Sequence, residues 1–413
     1  MKISFKKAVA ALISILLLCN ILFLPCAAQE AQPLQFHNGK FKILILSDVQ
    51  DTDTPQRETT ALLEAALDEA KPDLVVLLGD NTAGWWKNVD KAATEVAVDA
   101  VAKPIDSRNI PFALVFGNHD HEGLCDEQNG MQEEEAKELL LSYFQKYKTC
   151  LAVEGEEMTG VCNYNLPVKS SDGEKIVYNL WFMDSNPYTP ESEGGGYGYV
   201  HQDQTAWYQS TAAQLKAQNG GETVPAMLFQ HIIVPEVYDM LKEVPAGTSG
   251  AVRGNGSYKS HYYTVSDAVY QGALNEGPCP PDKNGGQFKS WLETGDIVAA
   301  FFGHDHTNDF AGVYEGIHLV ATPAVTFYSY GYHRGVRTIT LDEADLSTFT
   351  SEILTFEDLT DLKVKNLYKA NHGYYEYKYL FLPIVGGVLG AVAALTVGAV
   401  CVCKVWKKRK GKG

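Results

Sequence analysis

The chain has 413 residues, 45% of them hydrophobic, with 22 Tyr and 17 Phe, enough for a sizeable core in one large α/β domain or in two to three smaller ones. Its formal charge is −17, and setting aside three leader lysines and six basic residues at the C-terminal end takes the remainder to −26. So acidic a surface repels phosphate polyanions, which excludes nucleic acid as an expected partner.

Residues 1–28 carry Lys2, Lys6 and Lys7, an apolar run from Ala8 to Leu24, and then Cys26-Ala27-Ala28. This is the pattern of a secretory signal peptide cut after Ala28. Residues 29–362 then form an extracellular domain, and 363–378 read as a polar juxtamembrane stalk. The run 379–403 holds 25 residues without a charge, long enough to span a bilayer. Tyr374, Tyr375, Tyr377 and Tyr379 lie at its head, and Lys404 to Lys412 supply a basic tail over 404–413. The positive-inside rule places that tail in the cytoplasm and the domain outside a cell membrane crossed once. Four cysteines remain in the domain, Cys125, Cys150, Cys162 and Cys279, room for up to two disulfides, with Cys150 and Cys162 the nearest pair in sequence.

Within the domain, Phe36–Ser47 predicts strand, Thr59–Ala70 helix, Leu74–Leu78 strand, Lys91–Arg108 helix and Phe112–Phe116 strand, the alternation of an α/β fold. Glu133–Tyr147 predicts a further helix. The pattern turns β-like from Cys150 to Asp184, strongest at Val177–Met183. A Gly/Tyr loop at Gly194–Tyr199 precedes a helix at Thr205–Gln218 with Trp207 inward. Val224–Gln230 predicts a strand and Pro235–Lys242 a short helix. Val244–Gly286, rich in Gly and Tyr, reads as an insertion loop capping a site. Val298–Phe302, Ile317–Ala321 and Val336–Leu341 close the series as strands.

Five of these strands end alike. Apolar runs lead into Ser47-Asp48-Val-Gln50, Gly79-Asp80-Asn81, Gly117-Asn118-His119-Asp120-His121, Gln230-His231 and Gly303-His304-Asp305-His306. Carboxyl ends of strands are where open α/β sheets bind ligands. Carboxylates, an amide oxygen and imidazoles collected there make a mixed O/N donor set. Such a set suits two divalent or trivalent transition-metal ions of the Mn, Zn or Fe type rather than Ca.

In this order the five ends closely resemble the calcineurin-like metallophosphoesterases. Gln230-His-Ile-Ile-Val-Pro-Glu236, Gly303-His-Asp-His-Thr-Asn-Asp-Phe310 and Tyr330-Gly-Tyr-His-Arg-Gly-Val-Arg337 resemble the purple-acid-phosphatase-like group, over about Phe41 to Leu341. Gly79-Asp-Asn-Thr-Ala83 lacks the tyrosine of the true purple enzymes, so no tyrosinate colour is expected. The resemblance implies an αββα sandwich of two packed mixed sheets flanked by helices. It implies Asp48, Asp80 and His306 at a first metal, and Asp80, Asn118, His231 and His304 at a second. His119 would protonate the leaving oxygen, with Asp120 orienting it.

The implied activity is hydrolysis of phosphate monoesters on a small molecule or protein, by a hydroxide shared between the ions. A phosphodiesterase or nucleotidase is the alternative within enzymes; a non-catalytic surface binding protein on a degenerate scaffold is the alternative outside them. Gln50 departs from the family's Asp-x-His, offering an uncharged amide oxygen or a hydrogen bond to water. Asp51 and Asp53 read as solvated loop charges. His121 and Arg334 are candidates for phosphate contact, a structural role being the alternative for each. His201, His261 and His333 read as loop residues, and Trp85 and Trp86 as either core residues or flanks of a substrate group.

Overall fold

Strands β1 (Lys40–Leu46), β2 (Leu74–Leu78) and β3 (Phe112–Val115) run parallel because the helices between them, α1 (Arg57–Ala70) and α2 (Lys91–Ser107), carry the chain back across one face. All five residues of β2 are buried, as a strand covered on both faces requires. α1 ends on Lys71 in the left-handed region, just before Pro72, where a helix cannot continue. The computed structural model describes residues 33–86, 89–364, 366–386 and 388.

After α3 (Glu133–Phe144) come β4 (Tyr164–Lys169), β5 (Ile176–Phe182), α4 (Gln202–Gln218), β6 (Ala226–Phe229) and the single turn α5 (Val237–Met240). Short strands β7 (Lys242–Val244), β8 (Val252–Arg253) and β9 (Tyr262–Thr264) make their own small sheet inside the insertion. The chain continues through β10 (Val269–Gln271), α6 (Gln287–Thr294), β11 (Ile297–Phe302), β12 (Ala311–Tyr314) and β13 (Ile317–Ala321). It then returns to the first sheet with the hairpin β14 (Gly335–Asp342) and β15 (Asp345–Thr355), followed by α7 (Phe356–Leu359) and α8 (Leu367–Glu376).

Among the described residues the first sheet has the order β15-β14-β1-β2-β3 and the second β10-β12-β13-β11-β6-β5-β4. Alternation along the second sheet shows how the two stack. Tyr178, Leu180, Phe182, Met227, Phe229 and Phe301 share one core with Ile43, Ile45 and Val75 of the first sheet. Their neighbours Trp181, Leu228, Ala300 and Phe302 point the other way, into a core with Tyr208 of α4 and Trp291 of α6. The period of two thus splits each strand between an inter-sheet core and a helix-covered face, the expected αββα layering.

Several expectations change. Tyr208, not Trp207, is the innermost aromatic of α4, because its hydroxyl donates to the buried Asp296 while its ring meets Trp181 edge-on. The four cysteines Cys125, Cys150, Cys162 and Cys279 are free thiols. Cys162 places its sulfur 3.7 Å from the Leu114 carbonyl of β3. Asp51 is buried and accepts the Thr52 and Gln56 amides, so it is not a solvated loop charge.

The segment read as a stalk is partly helical and docked, with Tyr374 N–H donating to Phe327 O and Tyr375 N–H to Tyr328 O. Among the described residues no helix is long and apolar enough to cross a membrane. The leader 1–28 and the greater part of 379–403 lie outside the described residues.

Candidate metal centre

Both sheets deliver their donors at one edge, and backbone hydrogen bonds lock the strand ends together. Asp48 N–H donates to Gly79 O at 3.1 Å, Gln50 N–H to Asp80 O at 2.8 Å, and Gly303 N–H to His231 O at 3.0 Å. Asp48, Asp80 and His304 take positive φ (48°, 47° and 70°), a conformation non-glycine residues adopt at a cost and that here turns each side chain sharply off its strand. The glycines before the donors are dictated by crowding. A Cβ on Gly79, itself at φ 86°, would lie 2.5 Å from His231 Nδ1, and one on Gly117 would lie 2.3 Å from Asp80 N. That is why Gly precedes the donor at these ends.

Asp48, Asp80 and His231 present ligand atoms within 4.8 Å of one another. His231 Nε2 lies 3.4 Å from Asp80 Oδ2 and 3.9 Å from Asp48 Oδ1, and His306 Nε2 lies 3.4 Å from Asp48 Oδ1. Neighbouring ligands on one ion with bonds of about 2.1 Å stand about 3.0–3.4 Å apart, so the spacing fits. Second partners fix the rings, with His231 Nδ1 at 2.9 Å from Leu78 O and His306 Nδ1 at 2.9 Å from Tyr330 O.

The most telling feature is a set of orphans. Asp48 Oδ1, Gln50 Oε1, Asn118 Oδ1, His231 Nε2 and His304 Nε2 are all buried without a hydrogen-bond partner. Buried donors and acceptors are rarely left so, and five together, all of ligand type, fit metal ions. The field agrees. Burial opposes the charged forms, yet His231 and the other imidazoles hold Asp48 and Asp80 below the ordinary carboxylate range. The two carboxylates in turn outweigh burial at His231 and lift it to about 10. His304 is pushed down to about 3 by burial and by His231.

Gln50 donates its amide NH2 to Asp80 Oδ2 at 2.9 Å, which leaves Oε1 as its ligand-type atom. His119 sits beside these groups with its backbone N–H donating to Asp80 Oδ1 at 2.8 Å and Trp85 edge-on at 6.1 Å between ring centroids.

The expected orienting role of Asp120 is corrected by the geometry. Its carboxylate accepts the Gly117 and Thr82 amides at 2.8 and 2.9 Å, holding the loop, and does not meet His119. His119 Nδ1 instead lies 2.7 Å from Glu122 Oε2. Tyr188 completes a chain, donating to Glu122 Oε1 and accepting from Asn118 Nδ2, each at 2.9 Å. Burial lowers the His119 pKa, but Asp80 and Glu122 outweigh it and raise it to about 9.

Arg334 is likewise corrected as a phosphate contact. It is buried, and its guanidinium donates to the carbonyls of Thr326, Gly331 and Ser329, clamping that loop over the Phe327 ring. His121 is buried, and burial followed by Lys137 pushes its pKa down to about 3, so it offers a phosphate no positive charge.

Glu122 and Tyr188 were not legible as site residues. The only signal was a carboxylate three positions beyond His119 in a tight turn. Tyr330, stacked on His306 at 4.3 Å, and Tyr197, edge-on to His304 at 4.3 Å, were equally hidden in Tyr-rich loops.

Two stacked sheets that bring carboxylate, amide and imidazole donors to one edge are the architecture of a metallophosphoesterase. The sequence profile of the calcineurin-like phosphoesterases matches residues 41–308, and the chain belongs to that family.

The chain is similar to "Probable inactive purple acid phosphatase 14" of Arabidopsis thaliana, 27% identical over 75% of this chain and 76% of the relative. It is similar to "Probable inactive purple acid phosphatase 29" of the same plant, 26% identical over 77% of this chain and 81% of the relative. A third likeness is to "Phosphatase DCR2" of Saccharomyces cerevisiae, 28% identical over 68% of this chain but 46% of the relative.

Proposed function

We propose that the chain is a metal-dependent phosphoesterase acting on phosphate monoesters at the cell surface, held in the membrane by residues 379–403 with its basic tail in the cytoplasm. The single observation that carries the catalytic reading is the cluster of five buried, unpartnered ligand atoms converging from both sheets. Asp48, Asp80 and His306 would hold one ion, and Asp80, Asn118, His231 and His304 a second. Gln50 supports Asp80 by its hydrogen bond. The donors suit Mn, Zn or Fe. When bound, such a pair supplies the charge that neutralises phosphoryl oxygens and activates water.

His119 provides the proton. Its Nδ1 is engaged by Glu122, so Nε2 is the nitrogen left to protonate the departing ester oxygen as the phosphorus–oxygen bond breaks. Glu122 fixes the ring and favours its charged form, and Tyr188 ties Glu122 to Asn118.

Purified protein is expected to hydrolyse an aryl phosphate only with Mn or Zn added, faster than the matching bis-aryl diester. Turnover that survives chelation would sink the metal mechanism, and faster diester cleavage would favour a phosphodiesterase or nucleotidase.

A second reading, a binding protein on a silent scaffold, draws on the word "inactive" in the names of the plant relatives and on Gln50 in place of the family's His. Tight metal binding without turnover of any ester would support it.

A further inference from the structure

The segment that leads into the apolar run is built into the wall of the metal centre. Gly331 N–H donates to Asn371 O at 3.0 Å, joining the backbone pairs from Tyr374 and Tyr375 to the loop 327–328. Gly373 makes this approach possible, for at φ 83° a Cβ there would lie 2.3 Å from Ser329 O. The same loop serves the centre directly: Thr326 N–H donates to Asp48 O, Thr326 Oγ1 to Gln50 O, and Tyr330 O faces His306.

Aromatic rings continue the connection. Trp85 stands 6.1 Å from His119 and 4.6 Å from Tyr375, and Tyr375 stands 5.2 Å from Tyr379, where the uncharged run begins. From there Tyr379, Leu380, Leu382, Ile384 and Val388 are 39–65% exposed, a succession of large apolar side chains that water does not favour. Beside this edge Lys369 and Lys378 both lie over the Tyr374 ring. Tyrosines with flanking lysines are the composition of a bilayer interface, where lysines meet lipid phosphates.

Three ring contacts therefore link the proton donor His119 to Tyr379, where the uncharged run begins. We propose that the substrate is a phosphate monoester carried by a lipid, hydrolysed in the same bilayer that holds the C-terminal segment. This rests on the monoesterase and anchoring readings above and adds to them the source of the phosphate.

The test uses the full chain reconstituted with Mn in phosphatidylcholine vesicles. Phosphate release is followed from phosphatidate in the same vesicles, from phosphatidate in separate vesicles, and from glycerol 3-phosphate in solution, with an aryl phosphate as reference. Confinement to one surface raises effective concentration, so the same-vesicle rate is expected to exceed the other two by roughly 100-fold. Equal rates for the same-vesicle lipid and glycerol 3-phosphate overturn the proposal and leave the monoesterase reading standing. Silence in all four arms overturns both.

Lys378→Ala, which removes a cation over the Tyr374 and Tyr379 rings and touches no residue of the metal centre, is expected to cut the same-vesicle rate by roughly threefold with aryl phosphate turnover unchanged. Parallel loss on both substrates in this variant would overturn the geometry.

Discussion

Replacing Glu122 by Gln keeps the length of the side chain and its bond from Tyr188 but removes the charge that faces His119 across 2.7 Å. A hydrogen bond between charged partners contributes about 1.5–3 kcal/mol. Both side chains are near 30% exposed, which screens the pair and selects the lower half of that range. A loss of about 1.5–2 kcal/mol in the transition state is a fall of about 10- to 30-fold in kcat. KM should move little, because Glu122 has no place among the assigned ligands.

The assay is steady-state hydrolysis of aryl phosphates whose phenols span a wide range of basicity. Failure to deliver a proton penalises basic leaving groups most, so the loss should be small for a nitrophenyl ester and largest for plain phenyl phosphate. Asp120→Asn makes the contrast: by weakening the bonds to the Gly117 and Thr82 amides it should lower thermal stability with no leaving-group dependence. A uniform loss across leaving groups for Glu122→Gln, or any loss of bound metal, would refute the assignment.

Gln50→His, restoring an imidazole at the family position, should tighten metal binding by about tenfold or more in calorimetric titration; an unchanged affinity would count against a ligand position there. Asp80→Asn should lower the bound metal measured by elemental analysis and abolish turnover, and full metal content would show that Asp80 does not bridge. Lys137→Met should strand the Asp184 carboxylate, which now pairs with Lys137 at 2.8 Å with both side chains about 1–2% exposed. The cost should be about 3–5 kcal/mol in chemical denaturation, with much of it recovered in the double change that also converts Asp184 to Leu. A single-variant cost below about 1 kcal/mol would mean the pair is already hydrated.

The strand ends were legible because the chemistry is local. An apolar run, a Gly forced by crowding, then a donor is a pattern within six residues, as at Leu77-Leu-Gly-Asp80. The partner of His119 was not legible, since Asp120 and Glu122 both lie within three residues of it and only the turn at His119–Cys125 decides which carboxylate swings back. Arg334 stood between phosphate contact and a structural role because an arginine near an anion site is ambiguous until its acceptors are seen, and these are backbone carbonyls no sequence announces. The docking of residues 371–375 was hidden for the same reason: polar composition resembles a tether, while one left-handed glycine and three backbone pairs make it a wall.

His231 belongs to the second sheet, yet its Nδ1 meets the Leu78 carbonyl of the first and its Nε2 faces Asp48 and Asp80 across the seam. Cations held there would clasp two layers that otherwise meet through an apolar core and a few hydrogen bonds, such as those of Tyr164 to Leu114 and of Arg337 to Ala321. Their binding energy would then be indistinguishable from cohesion of the fold, about 4 kcal/mol when free metal stands a thousandfold above its dissociation constant. A cell starved of the right ion would then hold a molecule less stable by that margin as well as inactive.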